Sequence, residues 1–143
     1  METTKKVFYV DDDEDDLVIF GEICNRLSVD VNLYLNGLGL LDVLHSQKEI
    51  PSIIFVDINM PIISGYEVIK KIKSFEHTKH IPIVVLSTAT DLLTIRKSKQ
   101  LGANYYIAKP TTMHKLFKAI ESTLEIDWQT FSPSEGEFIY KYN

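Results

Sequence analysis

Six consecutive carboxylates, Asp11 to Asp16, separate the apolar "VFYV" from the helix-patterned "LVIF". Two like charges 4 Å apart repel by about 1 kcal/mol in bulk water and about 4 kcal/mol at an effective dielectric of 20. Water, a helix N-terminus and a bound cation are the three things that could offset such crowding. Further along, Asp57, Ser87 and Lys109 stand where other short apolar runs give out. One cation meeting both Asp12 and Asp57 would require those two runs to be neighbours.

The elements that must position these residues alternate strictly. Short apolar runs ("VFYV", "VNLYL", "IIFV", "IPIVVLS", "NYYIAK") take turns with segments of helical period ("LVIFGEICNRL", "GLLDVLHS", "GYEVIKKIKSF", "LLTIRKSKQLG", "MHKLFKAIESTLEI"). The pattern predicts five strands and five helices, and runs such as "SIIFV" and "IPIVVL" without polar alternation suit parallel strands buried on both faces. The fold class is α/β with helices on both sides. Every candidate residue then falls at a strand's C-terminal end, where open α/β sheets bind ligands. Placing the first and third strands side by side puts the second outside; right-handed crossovers then give the order 2-1-3-4-5, already known among doubly wound sheets.

Composition narrows the function classes. A chain of 143 residues, 45% hydrophobic, suits one compact domain. Its formal charge of -5 and the absence of a basic stripe argue against nucleic acid. "METTKKV" lacks the apolar core of a signal peptide, and no run approaches the roughly 18 apolar residues of a membrane span. With Cys24 as the only cysteine, no internal disulfide can form. The expected location is the cytoplasm, away from membranes.

Taken together, "VFYVDDD", "IIFVDINMPIISGYE", "IPIVVLSTA" and "GANYYIAKP" resemble the receiver domain of two-component response regulators, over the stretch from Lys5 to about Leu124. In size the chain is similar to stand-alone receivers such as the chemotaxis response regulator. The resemblance implies a flavodoxin-like sheet and a phosphoryl group accepted on Asp57 from a histidine kinase or a histidine phosphotransfer protein. It also implies Mg2+ held by Asp12 and Asp57 directly, by Asp11 through water and by the Asn59 carbonyl. Lys109 and Ser87 would meet phosphoryl oxygens, and Tyr106 would turn inward as Ser87 moves, changing the surface seen by an unknown downstream protein. Chemistry agrees, because a carboxylate can be a nucleophile and a hard cation lets an anionic donor approach. On this reading the chain is a signalling protein that catalyses only its own phosphotransfer and slow dephosphorylation. Thr88 departs from the small residue usual after the serine position, and Pro110 falls where the family has a cis peptide.

The run of six then divides. Asp11 and Asp12 belong to the metal site, whereas Asp13 to Asp16 begin a helix, with Asp13 as N-cap and the following acids in a first turn that favours negative charge. Asp11, Asp13, Asp15 and Glu22 also match EF-hand spacing, but Asp16 occupies the glycine position and a strand precedes the loop. Calcium is rejected. Pro61 and Gly65 read first as turn formers, His77 and His80 as solvated, and Cys24 as core.

Two rivals remain in view. A haloacid-dehalogenase-type phosphatase also uses an aspartyl phosphate, but needs a second aspartate where Asn59 stands. A phosphate-free interaction module would have no chemical need for Asp11, Asp12, Asp57, Ser87 and Lys109 together. Composition shifts after Ile126, so we read residues 1–126 as the receiver and 127–143 as an appended aromatic tail, with no separate output domain. The tail either folds back or frays, or it serves an intermolecular role, a homodimer included.

Overall fold

The computed structural model describes residues 5–134 and 136–142. Five strands, β1 (Lys6–Val10), β2 (Asp30–Tyr34), β3 (Ile53–Val56), β4 (Ile83–Ser87) and β5 (Tyr105–Ala108), alternate with five helices. These are α1 (Glu14–Arg26), α2 (Gly37–Ser46), α3 (Gly65–Ser74), α4 (Leu92–Leu101) and α5 (Met113–Leu124). All strand pairs are parallel and the order is β2-β1-β3-β4-β5. The sheet is the doubly wound α/β arrangement that the strand-end argument requires.

Strand alternation splits the core into two layers. Phe8, Val10, Ile54, Val56, Val85 and Tyr106 face one side with residues of α2, α3 and α4. Val7, Tyr9, Ile53, Phe55, Val84 and Ile107 face the other with residues of α1 and α5, Cys24 among them. The adjacent tyrosines 105 and 106 therefore lie on opposite faces. Each fully buried aliphatic or aromatic side chain in these layers contributes about 1.5 to 3 kcal/mol, and β1, β3 and β4, the most completely covered strands, are thereby fixed relative to one another.

Each helix starts on a polar side chain that accepts an orphan amide. Asp13 takes those of Asp15 and Asp16, Asn36 that of Gly39, Ser64 that of Glu67, Asp91 that of Thr94 and Thr112 that of Lys115. All five caps lie on connections leaving strand C-termini, so capping and site-building share the same end of the sheet.

After α5 the chain turns and returns to the sheet. Phe138 to Tyr140 run alongside β5: the Tyr106 amide donates to the Phe138 carbonyl at 2.9 Å, and the Tyr140 amide donates to the Tyr106 carbonyl at 2.8 Å. Ile139 bridges Tyr106 in parallel register. Phe138 is buried among the α2–α4 layer, while Trp128, Tyr140 and Tyr142 pack on the α1/α5 layer. The Tyr142 hydroxyl donates to the Ala108 carbonyl at 2.6 Å. Of the two readings of this segment, its described residues adopt the folded-back one; Glu135 and Asn143 lie outside the described residues.

His77 is not on solvated surface as its sequence context suggested. Its ring is half-buried beside His45 and Phe75, because the chain after α3 folds inward to place Thr78 and Ile81 in the interior. Among the described residues, no helix is long and apolar enough to cross a membrane.

Candidate functional site

β1 and β3 are direct neighbours, and their last residues deliver carboxylates to one spot. Asp11, Asp12 and Asp57 can each offer an oxygen such that all three lie within 4.8 Å of one another. Asp11 and Asp57 are buried and Asp12 is exposed. The donor set is all oxygen, which suits a hard divalent cation such as Mg2+ and disfavours metals that prefer nitrogen or sulfur.

Each buried carboxylate is oriented by backbone as well as by charge. Asp57 accepts from the Ile58 amide at 2.9 Å, and its own amide donates to the Val10 carbonyl at 3.1 Å. Burial pushes the Asp57 carboxyl up to about 7; the Lys109 cation opposes that rise, and Asp11 and Asp12 add to it by repulsion. Three carboxylates thus share one nearby ammonium, and a divalent cation bound among them would supply the remaining positive charge. The residues present fit the metal.

Asp11 is fully engaged. Its Oδ1 accepts from the Asp13 amide at 3.0 Å, and its Oδ2 accepts from the Tyr9 hydroxyl and from Lys109 Nζ at 2.7 Å. Lys109 Nζ also lies 2.8 Å from Asp16 Oδ2 and 3.9 Å from Asp57 Oδ2. Burial would lower the Lys109 ammonium, but its hydrogen bonds to Asp11 and Asp16 and the nearby Asp57 charge outweigh that and push it up to about 12. The lysine is therefore a fixed cation at any ordinary pH.

Ser87 ends β4 fully buried, with its Oγ accepting from the Ala89 amide at 3.2 Å. The Lys109 amide donates to the Ser87 carbonyl at 2.8 Å, so the serine and lysine backbones are tied across β4 and β5. Thr88 is exposed. Tyr106 is already inside: its hydroxyl donates to the Ala89 carbonyl at 2.7 Å, and burial pushes it up to about 12 against the pull of the Ser87 hydroxyl.

The loop after Asp57 is shaped by close approach. A Cβ on Gly65 would lie 2.2 Å from the Asp57 carbonyl oxygen and 2.7 Å from Ile58 Cα. Gly65 donates its amide to the Ile58 carbonyl at 2.8 Å. Its role is thus contact with the strand end, and the left-handed turn residue is the exposed Ile62, at φ 69°. Asn59, between Asp57 and Ile62, is exposed. No peptide bond among the described residues is cis, so Lys109–Pro110 is trans.

Sequence reasoning missed Tyr9 altogether and gave Asp16 to the helix start alone. Tyr9 had a signal, since residues two apart on a strand share a face and Asp11 follows it at that spacing. Asp16 had none, because its contact depends on how the first turn of α1 sits against β5.

Comparison with known proteins agrees with this geometry. The chain is 29% identical over 121 residues to the polar-differentiation response regulator DivK of Brucella ovis, covering 85% of this chain and 97% of that one. The chemotaxis response regulator CheY4 of Vibrio cholerae superposes with a TM-score of 0.74 at 27% identity, covering 84% of this chain and 98% of that one. The phosphorylated cyanobacterial phytochrome response regulator RcpA gives 0.79 at 30% identity, covering 92% and 98%. The family described as the response regulator receiver domain matches residues 7–121. With its strand-end carboxylates, its buried serine and its tethered lysine carried on that matched stretch, the chain belongs to the response regulator receiver domain family.

Proposed function

We propose that this chain acts as a receiver, phosphorylated on Asp57 by a histidine kinase or a histidine phosphotransfer protein in the cytoplasm. The observation that carries the reading is the setting of Asp57: a buried carboxylate at the end of β3, within 4.8 Å reach of Asp11 and Asp12 oxygens and 3.9 Å from Lys109. A carboxylate oxygen attacks the phosphorus of a phosphohistidine, the P–N bond breaks, and the imidazole leaves with its electron pair and takes a proton. The product is an acyl phosphate on Asp57.

Mg2+ bound by Asp12, Asp57, the Asn59 carbonyl and, through water, Asp11 would offset the negative charge of donor and acceptor. Lys109 contributes an ammonium and Ser87 a hydroxyl to the phosphoryl oxygens, the preorganised electrostatics that phosphoryl transfer depends on. When the Ser87 hydroxyl turns to the phosphoryl group, the Ala89 amide loses its acceptor. The loop that carries the Tyr106 contact is then free to move, and the surface of α4, β5 and α5 changes for a downstream protein or a second copy. Asn59 cannot act as the acid/base carboxylate of a phosphatase, so turnover is limited to slow self-dephosphorylation.

Incubation with a small acyl phosphate and Mg2+, followed by intact mass measurement, tests the reading. One added phosphoryl group is expected, lost in Asp57→Asn. Equal labelling of that variant would overturn it.

A further inference from the structure

The proposed chemistry needs Lys109 at the phosphoryl group, yet the shortest contacts of its ammonium are to two other carboxylates. Nζ is 2.7 Å from Asp11 and 2.8 Å from Asp16 but 3.9 Å from Asp57. Asp16 sits on the first turn of α1 and is not one of the metal-site acids. Tyr9, buried on the α1/α5 side of β1, donates its hydroxyl to the same Asp11 oxygen that Lys109 uses. The Tyr9 ring lies against Phe20, 4.2 Å between centroids, in an apolar layer where Asp11 is its hydrogen-bond acceptor.

Steric packing does not enforce the lysine's position. Lys109, Tyr9 and Asp16 border a cavity of about 220 Å³, continued by Ile19, Leu86 and Met113 between α1 and α5. With space beside it, the side chain is held by charge. Asp16 and an anion on Asp57 therefore compete for one ammonium.

Asp11 is the second party to that competition. When Lys109 leaves, a buried carboxylate loses a charged donor, and a buried acceptor left unsatisfied opposes the departure. The Tyr9 hydroxyl remains on Asp11 Oδ2 and the Asp13 amide on Oδ1, so Asp11 stays supplied.

We propose that Asp16 and Tyr9 are a pair of positioning residues with opposite effects, Asp16 retaining Lys109 away from Asp57 and Tyr9 easing its release by keeping Asp11 hydrogen-bonded. The consequence for phosphorylation rests on the reading of Asp57 as acceptor; the retention itself does not.

The test uses the full chain with beryllium fluoride and Mg2+ as a phosphoryl stand-in, its affinity read from backbone amide spectra. Asp16→Asn should bind it about tenfold more tightly and Tyr9→Phe about tenfold more weakly. Asp15→Asn, which removes the same unit charge from an exposed neighbour, should match the parent. Opposite signs from two adjacent changes are not what general loosening of the fold would give. In parallel, 15N-lysine spectra read the retention without any phosphoryl analogue: the Lys109 ammonium protons should be protected from exchange in the parent and lose protection in Asp16→Asn. Equal affinity for Asp16→Asn and Asp15→Asn, a tighter Tyr9→Phe, or unchanged protection would each overturn the proposal. If the parent binds no beryllium fluoride while Asp16→Asn still loses protection, it is the acceptor reading of Asp57 that fails, and the retention of Lys109 by Asp16 stands.

Discussion

The Tyr106 amide donates to the Phe138 carbonyl at 2.9 Å, so the residue beneath the Ser87–Ala89 turn is bonded through its backbone to the C-terminal segment. Phe138 itself is 1% exposed and belongs to the same apolar layer as Tyr106. Phe138→Ala should therefore cost about 3 to 5 kcal/mol, as for other buried aromatics cut to alanine. Urea unfolding measures this, and a loss under about 1 kcal/mol would mean that the segment is not docked in solution.

Asp57 predicts an acid-side gain in stability. Its carboxyl is raised from 3.8 to about 7, chiefly by burial, so the folded chain holds a proton that the unfolded chain releases. The sign follows from linkage: the contribution is complete below the unfolded value and is lost as pH rises to about 7. In metal-free buffer Asp57→Asn should thus be more stable than the parent above neutrality, with the difference shrinking toward pH 4. Added Mg2+ should raise the parent's melting temperature more at alkaline than at acid pH. Thermal melts across that range measure both effects.

Gly65→Ala should destabilise by about 1 to 3 kcal/mol, because the added carbon would meet backbone at 2.2 Å and nothing there can rotate aside. Gly136→Ala, with nothing within 4 Å of the new carbon, is the matched control and should be close to neutral. Denaturant midpoints for the pair decide it, and equal shifts would show that the loop after Asp57 yields easily.

Lys109→Ala should separate modification from its consequences. A small acyl phosphate should still label Asp57, although more slowly, since the other phosphoryl contacts remain. The amide resonances of Ala89 and Tyr106 should then stay near their unphosphorylated positions, because the cation that registers the new charge is gone. Full parent-like shifts in the labelled variant would remove Lys109 from the switch.

The architecture was legible because each level of the sequence agreed with the next. Apolar runs without alternation marked β3 and β4 as interior strands, and the need to bring Asp12 to Asp57 fixed β1 beside β3. Asp13 was readable as a cap from local chemistry alone. Contacts that depend on how one element lies over another were not. The Asp16–Lys109 pair joins α1 to the end of β5, 93 residues apart. Gly65 looked like a turn residue because only the folded loop reveals the Asp57 carbonyl beneath it. The aromatics after Ile126 announced burial, but the choice between this chain and another depended on a return path that no periodicity describes.

Trp128 is the sequence's only tryptophan, and its ring stands edge-on to Tyr105 at 6.1 Å and to Phe131 at 5.3 Å. Tyr105 belongs to β5 and the other two rings to the C-terminal segment. One indole therefore sits at the seam between the sheet and the strap that borders it. Its emission wavelength and quenching provide a built-in optical gauge of that seam, needing no dye and no added label. Stopped-flow fluorescence of the unmodified chain could follow, in real time, whether events at Asp57 reach the far edge of the sheet.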